Sequence, residues 1–192
     1  MMRRDECVKL IDRLRGDAVV IAAYSTSLDL RRAAARPLNL YTAGAMGQCS
    51  SWGLGLALGM PERKIIVLDG DGSLLMNLGS LVTIANAAPR NLFHFVCQNG
   101  CYEANGSHPI PAQDRIDFAT LARGAGIRHS FVFDEFGRLE SELPKLLALD
   151  GPVFATLKVV QGEAVPTDYD WINSIERVRE LKAALAAPRP TA

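Results

Sequence analysis

Apolar and polar positions follow two rhythms along this chain. Apolar runs at 18–24 (AVVIAAY), 63–69 (RKIIVLD), 91–98 (NLFHFVCQ), 128–133 (RHSFVF) and 152–160 (PVFATLKVV) lack a clean period of two. That is the pattern of parallel strands buried on both faces. Segments with helical apolar spacing lie between them: 27–35 (SLDLRRAAA), 78–88 (LGSLVTIANAA, stopping at Pro89), 116–126 (IDFATLARGAG) and 135–149 (EFGRLESELPKLLAL, with Pro144 as a predicted kink or break). Residues 1–16 predict an amphipathic helix, and 171–186 predict another that closes the chain. Strand–helix–strand alternation implies right-handed crossovers. The expected fold class is therefore α/β, a doubly wound parallel sheet with helices on both faces. No repeat or linker divides the chain, so a single domain over 1–192 is expected, with a frayed tail from about 187.

Composition narrows the function classes. With 192 residues, 48% of them hydrophobic and 22% charged, the chain can bury a substantial core. Lys+Arg and Asp+Glu both total 21, so the basic excess of a nucleic-acid binder is absent. The run from Trp52 to Met60 is broken by glycines and too short to span a bilayer. The basic N-terminus has no apolar segment of a signal peptide behind it. Cys7, Cys49, Cys97 and Cys101 form no CxxC pair, which argues against a thiolate zinc site and for reduced thiols in a cytoplasmic protein.

The candidate chemistry sits at strand ends. Ile65 to Leu68 run directly into Asp69-Gly70-Asp71-Gly72-Ser73. In a doubly wound fold, ligands bind beyond the carboxyl ends of the strands. The YSTS (24–27) and QNGC (98–101) segments occupy equivalent positions. Three readings of DGDGS stand side by side. It can be a plain tight turn. It also resembles the opening motif of the haloacid dehalogenase superfamily, in which Asp69 would be the nucleophile and Asp71 the general acid of a phosphatase. That family needs a later lysine, yet no Lys occurs from Leu74 to Phe133. In the third reading Asp71 and Asn99, one crossover apart, project into one crevice as hard oxygen ligands for magnesium or calcium. Gly72 then lets the backbone approach a phosphate, and Ser73 offers its hydroxyl and N–H.

GDGS followed by QNG resembles the thiamine diphosphate motif that runs from GDG to NN. The resemblance extends through AGAMGQCSSWGLGLALGM, DGDGSLLMNLGSLVTIANAAPRNLFHFVCQNGCYEANGSHPIP and PVFATLKV. Over roughly Val19 to Val160 the chain is similar to the diphosphate-binding half of sulfopyruvate and phosphonopyruvate decarboxylases. The resemblance implies a thiamine diphosphate-binding fold and Mg2+ held by Asp71, Asn99 and the Cys101 carbonyl. It implies diphosphate contacts from Thr26, Ser27, Gly72 and Ser73. The Gly44 carbonyl would accept a bond from the aminopyrimidine, and Met46 would be the apolar wedge that bends the cofactor. Gln98 stands where the first Asn of NN is usual, and Cys101 replaces a small apolar residue. His108 takes the place of a frequent Gln, and so is a candidate catalytic residue facing the substrate. His94 reads as a buried structural histidine.

The resemblance also implies what this chain lacks. The glutamate that protonates the cofactor's aminopyrimidine belongs, in that family, to a separate pyrimidine-binding domain, and nothing in the first sixty or so residues resembles one. Glu103 and Glu163 are unsuited to that role by position. The implied protein is a beta-type subunit of a decarboxylase for a small 2-oxo acid, inactive without a pyrimidine-domain alpha subunit. The alternatives are the phosphatase and a non-catalytic thiamine diphosphate-binding subunit.

Overall fold

The computed structural model describes residues 1–42, 46–162 and 168–188. The first half runs through α1 (Arg4–Leu14), β1 (Val19–Ala23), α2 (Ser25–Ala33), β2 (Asn39–Thr42), α3 (Cys49–Gly59), β3 (Ile65–Gly70), α4 (Asp71–Leu75), α5 (Ser80–Ala87) and β4 (Leu92–Gln98). Then follow β5 (Cys101–Tyr102), a 3-10 turn (Glu103–Asn105), β6 (His108–Pro109), α6 (Phe118–Gly124), β7 (His129–Phe133), α7 (Phe136–Leu146), β8 (Val153–Lys158), α8 (Tyr169–Ile172) and α9 (Ile175–Ala186).

A six-stranded sheet in the order β2-β1-β3-β4-β8-β7 forms the centre, and every pairing in it is parallel. Successive side chains on a strand point to opposite faces, so each strand feeds two cores. On one face Val20, Ala22, Ile66, Leu68, Phe93 and Phe95 meet α1, α2 and α7. On the other Val19, Ile21, Ile65, Val67 and Val96 meet α3, α5 and α6. Burial on both sides is why the strand sequences read as unbroken apolar runs. The chain leaves β1 toward β2 on one side, then returns to place β3 on the other. That reversal opens a crevice at the carboxyl ends of β1 and β3, the usual place for a ligand in such sheets.

The predicted α/β class and the five predicted strands are present. Two local expectations are corrected. Residues 171–186 do not make one helix: the Asp168 side chain caps α8 by accepting from the Trp171 N–H (3.0 Å), and the chain breaks at Asn173–Ser174 before α9. Pro144 does not end α7; it sits exposed in the last turn, and the bond from the Leu147 N–H to the Leu143 carbonyl (2.9 Å) carries the helix past it. The sequence reading also left out β2 and α3. NLYT is a short edge strand without an apolar run, and CSSWGLGLALG contains glycines that obscure its helical character.

One of those glycines is required by packing. A Cβ on Gly53 would stand 2.3 Å from Cγ2 of the buried Val67 and 3.4 Å from Cδ1 of Leu92. Valine is stiff at χ1, so α3 would have to lift off the sheet. Gly53→Ala should therefore destabilise the chain by about 1–3 kcal/mol, the range for overpacked cores. Urea denaturation checks this; an unchanged midpoint would show that α3 does not depend on the close approach.

Candidate cofactor site

Three loops meet at the carboxyl edge of the sheet. Their residues line one cavity: Tyr24, Ser25 and Thr26 after β1; Gly70 to Ser73 after β3; Asn99 and Cys101 to Ala104 after β4. Met46 and Arg4 complete its wall.

Asp71 is the hub. It is buried at 2% exposure, yet both carboxylate oxygens are engaged: Oδ1 accepts from the Gly72 N–H (2.8 Å) and Oδ2 from the Gly100 N–H (2.7 Å). The second bond ties the β3 loop to the β4 loop. Burial pushes the Asp71 carboxyl up to about 6, and the donated N–H bonds pull it back only in part. Gly100 adopts φ +81°, the left-handed region that favours glycine, and its carbonyl accepts from the Ile110 N–H (3.0 Å). At Gly72 a Cβ would fall 2.5 Å from Cδ1 of Tyr102, so the ring of Tyr102 lies against bare backbone.

The Asn99 side chain is oriented by its neighbours. Its amide nitrogen donates to the Glu103 carboxylate (2.8 Å), and its Oδ1 accepts from the Cys101 N–H (3.0 Å). The Cys101 thiol also reaches Oδ1 (3.5 Å), a long and weak contact that a stronger partner for that oxygen would displace. Cys101 lines the cavity; burial, then the charges of Glu103 and Asp71, push its thiol up and keep it a neutral thiol.

Thr26 lines the cavity, but its hydroxyl is fixed to backbone, accepting from the Ala23 N–H (3.0 Å) and reaching the Ala23 and Leu68 carbonyls (both 2.8 Å). The Ser27 hydroxyl donates to the Ala22 carbonyl (2.6 Å), and Ser27 is not part of the wall. These two residues therefore seat the first turn of α2 on β1, while Ser25 faces the cavity in their place. The Ser73 hydroxyl accepts from the Gly47 N–H (3.0 Å), which draws the segment carrying Met46 to the β3 loop. Gly44 lies outside the described residues. His108 is exposed on β6 and does not line the cavity. His94 is buried, as expected, with Nε2 3.3 Å from Asp69 Oδ2.

Several wall residues escaped the sequence reading. Tyr24 holds φ +47° where the chain turns from β1 into α2. Arg4 and Glu103 form an ion pair across 99 residues, and Arg4 Nε also reaches Asp29 (2.6 Å). No local pattern signals either pairing. Among the described residues no group of three His, Cys, Asp or Glu side chains could hold a metal. The donor set fits a hard cation instead: one buried carboxylate, one amide oxygen and main-chain carbonyls. Asp71 and Glu103 also outnumber Arg4 in this wall, and a buried excess of negative charge favours a cation.

A parallel sheet with a polar, glycine-lined crevice at its switch point defines a phosphate-ligand-binding α/β protein. Residues 18–156 match the model of the thiamine pyrophosphate enzyme C-terminal TPP-binding domain, and the chain belongs to that family. It is 40% identical over 188 residues to sulfopyruvate decarboxylase subunit beta of Methanothermobacter thermautotrophicus, covering 96% of this chain and 98% of that one. It is 33% identical over 181 residues to phosphonopyruvate decarboxylase of Streptomyces viridochromogenes, covering 94% of this chain but only 45% of that protein. Benzoylformate decarboxylase from Polynucleobacter necessarius shares the fold with a TM-score of 0.70 at 17% identity, over 86% of this chain and 34% of that one. Family membership overturns the phosphatase reading. The geometry agrees: Asp69, its supposed nucleophile, is 0% exposed, bonded to the Gly70 N–H (2.9 Å) and set against His94 outside the cavity wall.

With its carboxyl raised, Asp71 would make any cation binding at this cavity pH-dependent. Above about 6 the carboxylate is ionised and available; below it, a proton competes for the same oxygens. The affinity of the chain for Mn2+, a spectroscopic stand-in for Mg2+, should be level above neutrality. It should fall by about tenfold per pH unit below 6, one proton being exchanged. Mn2+ titrations followed by electron paramagnetic resonance across that range test this, and a level profile down to about pH 4 would remove Asp71 from the ligand set.

Proposed function

We propose that this chain is the diphosphate-binding, beta-type subunit of a thiamine diphosphate-dependent 2-oxo acid decarboxylase, and that it works with a separate pyrimidine-domain alpha subunit. The observation that carries this is the convergence of Asp71, Gly72 and Asn99 at the ends of β3 and β4, in a chain aligned with nearly the whole length of a sulfopyruvate decarboxylase beta subunit. Asp71, Asn99 and the Cys101 carbonyl hold Mg2+. The backbone at Gly72 and Ser73 and the first turn of α2 at Ser25 and Thr26 face the diphosphate, with its charge balanced by the cation. Met46, against the same cavity, is the apolar support for the bent cofactor. Thiamine diphosphate, when bound, supplies the carbon nucleophile and the electron sink that decarboxylation of a 2-oxo acid requires.

The substrate class follows the relatives: a short 2-oxo acid with a distal sulfonate or phosphonate. The region matched is 45% of the Streptomyces relative, which leaves room in that protein for a pyrimidine-binding half. No described carboxylate is placed to protonate the pyrimidine ring; Glu103 is committed to Arg4 and Asn99. The α3–α5 side leaves Trp52, Leu58, Met76 and Val82 exposed, apolar surface that suits a subunit contact. The described helices include none long and apolar enough to cross a membrane, and all four cysteines are free, which fits a reducing cytoplasmic setting.

The pure chain, given thiamine diphosphate and Mg2+, should not decarboxylate sulfopyruvate, phosphonopyruvate or pyruvate. Activity should appear on adding the alpha subunit and saturate at equal stoichiometry. In that complex Asp71→Ala should abolish turnover and Mg2+-dependent cofactor binding, whereas Asp69→Asn should retain substantial turnover. Steady-state assays and calorimetry read these outcomes, and robust turnover by the chain alone would overturn the two-subunit assignment.

A further inference from the structure

A buried ion cluster joins the N-terminal helix to the metal-ligand loop. Arg4, at the start of α1, points one nitrogen at Asp29 of α2 (Nε to Oδ2, 2.6 Å) and another at Oε2 of Glu103, just past β5. The Arg4, Asp29 and Glu103 side chains are 9%, 7% and 9% exposed. Burial opposes the Arg4 charge, but the two carboxylates outweigh it and raise its pKa further. The backbone at Gly162 closes over the pair: a Cβ there would stand 2.8 Å from Arg4 Nη2 and 2.9 Å from Glu103 Oε1. Glu103 is thus clamped from two sides, and the oxygen that faces Arg4 also accepts from Asn99 Nδ2 (2.8 Å).

That last contact has a chemical consequence. An ionised carboxylate only accepts hydrogen bonds, and the amide group of Asn has a donating and an accepting end. Glu103 can therefore take only the NH2 end of Asn99, which turns Oδ1 away from it. A cation can use only the oxygen, because the amide nitrogen has no free lone pair to offer. We infer that Glu103, held by Arg4, is a positioning residue that locks the Asn99 amide in the orientation in which Oδ1 is the metal-facing atom. The inference rests on the reading of Asn99 as a cation ligand. It makes α1, remote in sequence, part of the machinery that sets metal affinity.

The test is a double-mutant cycle on the full-length chain, with Mn2+ binding read by electron paramagnetic resonance and calorimetry, in the presence of thiamine diphosphate. Glu103→Ala should weaken Mn2+ binding by about tenfold or more, the scale of lost outer-shell partners. Glu103→Gln offers Asn99 both a donor and an acceptor, which leaves the Cys101 N–H (3.0 Å) alone to select the orientation, and should weaken binding several-fold. It also preserves volume, should the alanine variant fail to fold. Arg4→Ala should act in the same direction through Glu103. In an Asn99→Ala background the Glu103 substitutions should have no further effect, because there is no amide left to orient. If the Asn99→Ala loss is large but Glu103 substitutions add to it in full, Glu103 acts as a distant charge or a direct ligand and the positioning role is overturned. If Asn99→Ala leaves Mn2+ affinity unchanged, the ligand assignment itself fails and the inference falls with it.

Discussion

The site is organised by the demand of one buried carboxylate. Asp71 follows the apolar strand β3 at 2% exposure, where an ionised group is costly unless donors and a counter-charge surround it. Two backbone N–H groups meet part of that demand, from Gly72 in its own turn and Gly100 in the next loop. Each imposes a residue choice. Gly100 must adopt a left-handed conformation to aim its N–H, and Gly72 must lack a side chain for the Tyr102 ring to pack beside it. The part of the demand left unmet appears as the raised carboxyl, and a bound cation would meet it.

The sheet order makes this meeting of loops possible. In a parallel sheet every strand ends at the same edge, so loops after neighbouring strands are neighbours. With β1, β3 and β4 side by side, the Tyr24–Ser27, Gly70–Ser73 and Gln98–Cys101 segments share one edge. Among the helices, α1, α2 and α4 bring their first residues to the cavity wall, and α1 does so from far away in sequence. Its apolar face belongs to the core, with Cys7, Val8, Leu10 and Ile11 all buried, and its first residue enters the cavity wall.

The hydroxyls of the α2 loop show how hydrogen-bond demand divides labour among adjacent residues. Thr26 and Ser27 spend their side chains on carbonyls of Ala22, Ala23 and Leu68, which fixes the helix start against the sheet. Ser25 and Thr26 still line the cavity from this loop. The arrangement leaves an open crevice with cation and phosphate donors along one wall and no pyrimidine-binding half among the described residues.

The α/β class, the five main strands and the pairing of Asp71 with Asn99 were legible in the sequence, because each depends on local pattern. Apolar runs set strands, helical spacing sets crossovers, and an Asp-Gly turn at a strand end fixes which backbone lies in the crevice. The edge strand β2 and the glycine-rich α3 were not legible, since their stability comes from pairing and packing rather than from their own periodicity. The cavity position of Arg4 and the commitment of Glu103 were decided by tertiary structure alone. A charged residue declares no partner in sequence; only burial, which makes an unpaired charge costly, brings α1 and the β5 loop together across 99 residues.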